Sequence, residues 1–157
     1  MATTPLRDLL ESGEGLPIVE EKTTELVIEY SQGTNDMNYT FSSGAFEPKK
    51  HKDMLEAAKH ELSEEAGLAG GEWIQLSDNV NGIAELKWGR NRFVPFLVID
   101  PVADETPRAK DAEELIEMRN NVSPADLKKA ILKGQLRLPS VQTWIMAEDV
   151  LRQRGLL

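Results

Sequence analysis

Residues 44–68 read GAFEPKKHKDMLEAAKHELSEEAGL, and the assignment of the fold turns on them. Asp53 is a good N-cap and Gly67 a good left-handed terminator, so a helix is predicted over 53–66. Leu55, Ala58, Leu62 and Ala66 recur at three- and four-residue spacing and make one apolar stripe. Glu61, Glu64 and Glu65 fall within roughly 100° of one another on that helix, beside the stripe and not opposite it. Like charges this close repel, at about 0.2–0.5 kcal/mol per i,i+4 pair. A hard divalent cation would remove the repulsion, and Mg²⁺ takes oxygen donors that it shares with substrate phosphates. The plain alternative is a solvated acidic face, because Glu is a good helix former. Two neighbours weigh towards a metal. Gly67 stops the helix directly after the acids, and Gly44 to Pro48 is a glycine turn leading out of a strand just before it.

Working outward, Glu25–Tyr30 (ELVIEY) and Asn38–Phe41 (NYTF) have the β-branched and aromatic content of strands, with turn formers at 31–36 between them. Further strands are expected at Glu72–Leu76, Ile83–Trp88, Arg92–Asp100 and Leu115–Met118. FVPFLVID (93–100) is almost continuously apolar and is expected to be central, although Pro95 argues for an edge or bulge. Gly70-Gly71 is a turn, and 101–112 a charged loop with two prolines. Ser123-Pro124 opens a helix that ends at Gly134. Ser140 is expected to cap a final helix whose stripe includes Val141, Trp144, Ala147 and Leu151, closed by Gly155. Residues 1–22 form an N-terminal extension with a short helix candidate at Pro5–Glu11. Mixed helices and hairpins place the chain in the α+β class, as a single domain over 1–157.

The length of 157 residues suits one core, burying about two thirds of the unfolded surface. Lys plus Arg is 18 and Asp plus Glu is 27, a net charge of 18 − 27 = −9. An acidic surface disfavours nucleic acid as a partner. There is no cysteine, which excludes disulfides, a thiol nucleophile and thiolate metal sites. His51 and His60 alone leave little for a histidine zinc site. No apolar run nears the roughly 18 residues of a membrane span, and MATTPLRDLLESGEG lacks the basic and apolar regions of a secretory signal. The expectation is a soluble, cytoplasmic protein whose chemistry runs through carboxylates.

Gly44 to Leu68 resembles a variant Nudix box. The family pattern is glycine, five residues, Glu, seven residues, Arg-Glu, an aliphatic, any residue, Glu-Glu, any residue, glycine, aliphatic. Glu61, Leu62, Glu64, Glu65, Gly67 and Leu68 fall in register. With Gly44 as the opening glycine, GAFEP fits best and two extra residues lie in the loop; Lys50 then replaces the upstream Glu. Counting back from Glu61 instead puts Lys52 there and Phe46 at the glycine. His60 stands at the arginine. With gaps the likeness spans residues 24–152, and AEELIEM (112–118) and PADLKKAILKG (124–134) resemble the subgroup that cleaves ADP-ribose and nucleoside-diphosphate sugars.

That resemblance implies a Nudix fold, an α/β/α sandwich with a mixed central sheet. It implies Mg²⁺- or Mn²⁺-dependent hydrolysis of a nucleoside diphosphate linked to another moiety, with Glu61, Glu64 and Glu65 as metal ligands. Glu64 is one candidate general base, and Glu113 or Glu114 in the DAEE loop (111–114) another. Gly44, Arg90 and Arg92 are the candidate substrate contacts. The partner is then a small nucleotide, with no nucleic acid and no membrane, and dimerisation follows by analogy. The missing upstream Glu and Arg keep a second reading in view: a catalytically impaired module that binds a nucleotide or a protein. KKHK (49–52) reads as a solvated loop before a phosphate contact. Trp73, Trp88 and Trp144 are expected in the core, and His60 on the solvent side of the helix.

Overall fold

The computed structural model describes residues 23–31, 34–109 and 116–157. The N-terminal extension, with its Pro5–Glu11 helix candidate, lies outside them. β1 (Thr24–Ser31) and β2 (Asp36–Thr40) form an antiparallel hairpin, with Val27 opposite Thr40 and Ser31 opposite Asp36. Asn35 sits in the turn at φ 54, a left-handed conformation that Asn tolerates. Helix α1 (Met54–Glu61) follows and passes without a break into a π-helical turn, Leu62–Ala66. Then come β3 (Leu68–Ala69), β4 (Glu72–Gln75), β5 (Ile83–Ala84), β6 (Arg92–Phe93), β7 (Phe96–Ile99), β8 (Val102–Ala103) and β9 (Ile116–Val122). Helices α2 (Pro124–Leu132) and α3 (Leu138–Gln153) close the chain.

The core forms on β1. Leu26 and Val27 are both 1% exposed. Adjacent strand residues point to opposite faces, so β1 is covered on both sides. Leu26 joins Val122, Leu127 and Leu136 in one cluster, flanked by Tyr39, Phe41, Ile131, Val141 and Trp144. The two C-terminal helices therefore cover that face, and the 62–66 turn packs on β1 and β9. Each fully buried Leu contributes about 1.5–3 kcal/mol. Arg137 ties the start of α3 to β1 through Glu29 at 2.8 Å.

Several expectations change. The sheet is not a single mixed one among the described residues. β1 is the centre of a three-stranded antiparallel sheet in the order β2-β1-β9, and β3-β8, β4-β7 and β5-β6 are separate antiparallel pairs. The parallel contact is one isolated bridge, Tyr39 to Leu136. The 92–100 run is not central. Pro95 has no N–H to give a ladder and splits the run into β6 and β7, each paired with one short strand. The 83–88 strand stops at Ala84, so Trp88 never folds back. It is 89% exposed, with Lys87 Nζ 4.8 Å from its ring centroid, and is not a core residue.

Ser140 does not cap α3. The cap is Arg137, three residues earlier, and the buried Ser140 hydroxyl instead accepts from the Phe41 N–H at 3.2 Å and lies 3.0 Å from the Thr40 hydroxyl. A tertiary contact has claimed a side chain whose local preference was for a helix end. The Ser123 cap of α2 and its Gly134 terminus are as expected, the Ser123 hydroxyl accepting from Asp126 N–H at 3.2 Å.

Candidate functional site

The helix of the box is anchored at its start. Asp53 accepts from the Glu56 N–H at 2.8 Å, and Glu56 in return accepts from the Lys52 N–H at 2.6 Å. The loop before it is itself folded. Lys50 and His51 both donate their backbone N–H to the Glu47 carbonyl at 2.9 Å, and His51 Nδ1 accepts from the Glu47 N–H at 3.2 Å. Of KKHK the three lysines are exposed, as expected of a solvated loop, and His51 alone is buried. Lys50 pairs on the surface with Glu47 at 2.6 Å.

Two of the box carboxylates converge on the glycine turn. Glu65 is only 6% exposed, and its Oε2 accepts from the Ser43 N–H at 3.1 Å. The next residue, Gly44, abuts Glu61: a Cβ built on Gly44 would lie 1.8 Å from Glu61 Oε1. Only a residue without a side chain lets the backbone approach that carboxylate so closely. The π-helical turn explains the pairing. Its i→i+5 spacing widens the turn beyond the usual 3.6 residues and brings positions four apart almost into line along the axis. Gly67, at φ 64, ends it by donating its N–H to the Leu62 and Ser63 carbonyls.

Glu64 stands elsewhere. It is half-buried and close enough to His60 for its charge to favour the imidazolium. Among the described residues, no group of three or more His, Cys, Asp or Glu side chains could hold a metal ion. The expected triad of Glu61, Glu64 and Glu65 is therefore not gathered into one cluster. The pair Glu61 and Glu65 still fits the chemistry of Mg²⁺, which takes one or two protein carboxylates and completes its shell with water and substrate phosphates.

His60 is not on the solvent side. It is half-buried, edge-on to His51 with ring centroids 5.1 Å apart, and its Nε2 accepts from Arg108 Nη2 at 2.9 Å. Burial, and then the Arg108 charge, lower its pKa below the ordinary histidine value. The same loop meets the helix again at Ser63. This buried hydroxyl donates to Asp104 Oδ2 at 2.6 Å and accepts from the Arg108 N–H at 3.1 Å. The Ser63 hydroxyl and the Thr106 N–H hold the Asp104 carboxyl below its usual range. Ser63, Asp104 and Arg108 carried no signal in the sequence, since the partners lie 41 and 45 positions apart.

The remaining candidates lie apart. Arg92 Nη1 donates to the Gly82 carbonyl at 3.1 Å and braces the β5–β6 hairpin; Arg90 is exposed on its loop. Trp73 is half-buried, with its Nε1–H donated to the Gly70 carbonyl at 2.8 Å, and Trp144 packs on the core. Glu113, with Asp111 and Glu114, lies outside the described residues.

No protein-family model matches the chain, and no curated protein matches it in sequence. The structure does have a solved counterpart, described as the crystal structure of an ADP compounds hydrolase. The two share 20% sequence identity and superpose with a TM-score of 0.68, over 89% of this chain and 71% of that one. The likeness is one of fold. Among the described residues no helix is long and apolar enough to cross a membrane.

Proposed function

We propose that the chain is a Nudix-type pyrophosphohydrolase that cleaves a nucleoside diphosphate linked to another moiety, of the ADP-ribose or nucleotide-sugar kind, with Mg²⁺ or Mn²⁺. The observation that carries the reading is the convergence of Glu61 and Glu65 on Ser43 and Gly44. Its fold likeness to an ADP compounds hydrolase adds support. A bound divalent ion would lower the pKa of water and offset charge on the phosphates. Glu61 and Glu65 would hold the ion, and Glu64 would either complete the set or, like Glu113, accept the proton of the attacking water. The Ser43 N–H fixes the Glu65 carboxylate, and Gly44 keeps the approach to Glu61 open. Arg90 and Arg92 are proposed for the outer part of the substrate.

A second reading is a module of the same fold that binds a nucleotide without turnover. Lys50 or Lys52 and His60, where the resemblance expects Glu and Arg, favour it. Incubation with ADP-ribose, nucleotide sugars and dinucleotides, with and without Mg²⁺, separates the two. Turnover that needs the ion and disappears in Glu65→Gln supports the enzyme. Absence of turnover on the whole panel, with Mg²⁺ raising the melting temperature of neither wild type nor variant, sinks it.

A further inference from the structure

The back of the box helix faces a cleft. At about 100° per residue, Lys59 lies roughly 160° around the axis from Glu61, on the face away from the glycine turn, and Ser63 lines the same cleft. There Lys59, His60 and Ser63 meet the Gly70-Gly71 turn, Trp73 and the 104–108 loop around a cavity of about 470 Å³. It is an open cleft, with room for a small molecule bound partly in solvent.

The chemistry of the lining is cationic. Among the described residues neither Lys59 nor Arg108 is in an ion pair. The one carboxylate there, Asp104, accepts from Ser63 and Thr106 and also feels the Arg108 charge, which leaves the lining one cation in excess. Arg108 is held in place, its backbone N–H on Ser63 and one guanidinium N–H on His60, so its other donors remain for a ligand. A guanidinium and an ammonium facing one cavity suit a phosphate, which they can share as fork and point charge. Lys59 Nζ lies over the Trp73 ring, 5.8 Å from its centroid, so the indole face opens to a ligand's ring when Lys59 swings to the phosphate. Gly70 and Gly71, at φ 69 and 75, form a turn without side chains to fill the floor.

We propose that this cavity binds a phosphate-bearing small molecule with a planar ring, the class of a nucleoside monophosphate, with Arg108 and Lys59 on the phosphate and Trp73 against the ring. The site is separate from the Glu61–Glu65 pair and does not depend on turnover there.

The test is calorimetric titration of the full chain in EDTA with adenosine monophosphate, inorganic phosphate and adenosine. Saturable binding is expected for adenosine monophosphate, weaker binding for phosphate alone and none for adenosine. Arg108→Ala and Lys59→Ala should each weaken binding about tenfold or more, the scale of one lost charge-assisted hydrogen bond. Arg108→Lys should retain part of it, which distinguishes lost contact from lost fold. Glu61→Gln with Glu65→Gln should leave it unchanged. In NMR spectra the Trp73 indole N–H, identified by its loss in Trp73→Phe, should move on titration. No saturable binding of either phosphate compound overturns the proposal. So does binding that the glutamate variants abolish and Arg108→Ala spares, since the ligand would then sit on the carboxylate side.

Discussion

The two faces of the helix over 54–66 are built by opposite means. One face presents carboxylates to a turn of backbone, where Ser43 gives an N–H to Glu65 and Gly44 gives room to Glu61. The other presents a hydroxyl, an imidazole and an ammonium to a loop 40 and more positions away, through two side-chain contacts, Ser63 to Asp104 and His60 to Arg108, and one backbone N–H, from Arg108 to Ser63. Backbone groups cannot rearrange without moving the chain, so the first face is preorganised for charge. The second rests more on side chains, so more of its geometry can adjust. The π-helical turn lies at the junction, putting Glu61 and Glu65 together and leaving Glu64 near His60.

The sharpest way to break this contrast is Gly44→Ala. The atoms that its Cβ meets are the far end of the flexible Glu61 side chain. Stability should therefore change little in a thermal melt, while displacement of the carboxylate should lower turnover by about 10²-fold, as misplacing a reacting group by an ångström can do. If turnover is unaffected, Glu61 does not act from this position. On the opposite face, Ser63→Ala removes a buried hydroxyl between Asp104 and Arg108. Denaturant unfolding should show a loss of about 1–3 kcal/mol. Asp53→Ala deletes the shared N-cap and should lower stability by about 0.5–2 kcal/mol, without favouring either face.

A pH series sharpens the second face further. The Asp104 carboxyl titrates below its unfolded value, first because of the Ser63 hydroxyl. The unfolded chain takes up that proton first as pH falls, so Asp104 stabilises the fold above its unfolded pKa of about 3.9. That contribution disappears as pH falls through the folded value. The melting difference between wild type and Ser63→Ala should accordingly shrink in acid; a difference constant with pH would show that the Asp104 charge plays no part. The smallest effect is expected off both faces. Trp88→Ala, at an exposed hairpin tip, should change stability by no more than about 0.5 kcal/mol.

Much of this was legible in one dimension wherever a local rule had no rival. Asp53 and Gly67 bound the box helix, and Ser123 and Gly134 bound α2, because capping depends on residues within a few positions. β1 and β2 follow from composition for the same reason. The acidic cluster at 61–65 was visible as residue types at a spacing. Its division into a pair and an outlier was not, because the uniform step of about 100° that placed three glutamates together fails in a π-helical turn.

Elsewhere a distant partner overrode the local preference. Ser140 left the helix end for Thr40 and Phe41, 100 and 99 positions away. Trp88 lost its expected strand, and His60 gained a partner in Arg108. Residue chemistry and short-range spacing were enough to specify an α+β chain with a glycine turn, a capped helix and carboxylates after it. Which carboxylates meet follows from the π-helical turn, and which cations gather behind them follows from contacts between remote segments. Those contacts form only when the chain folds, and no periodicity along the chain encodes them.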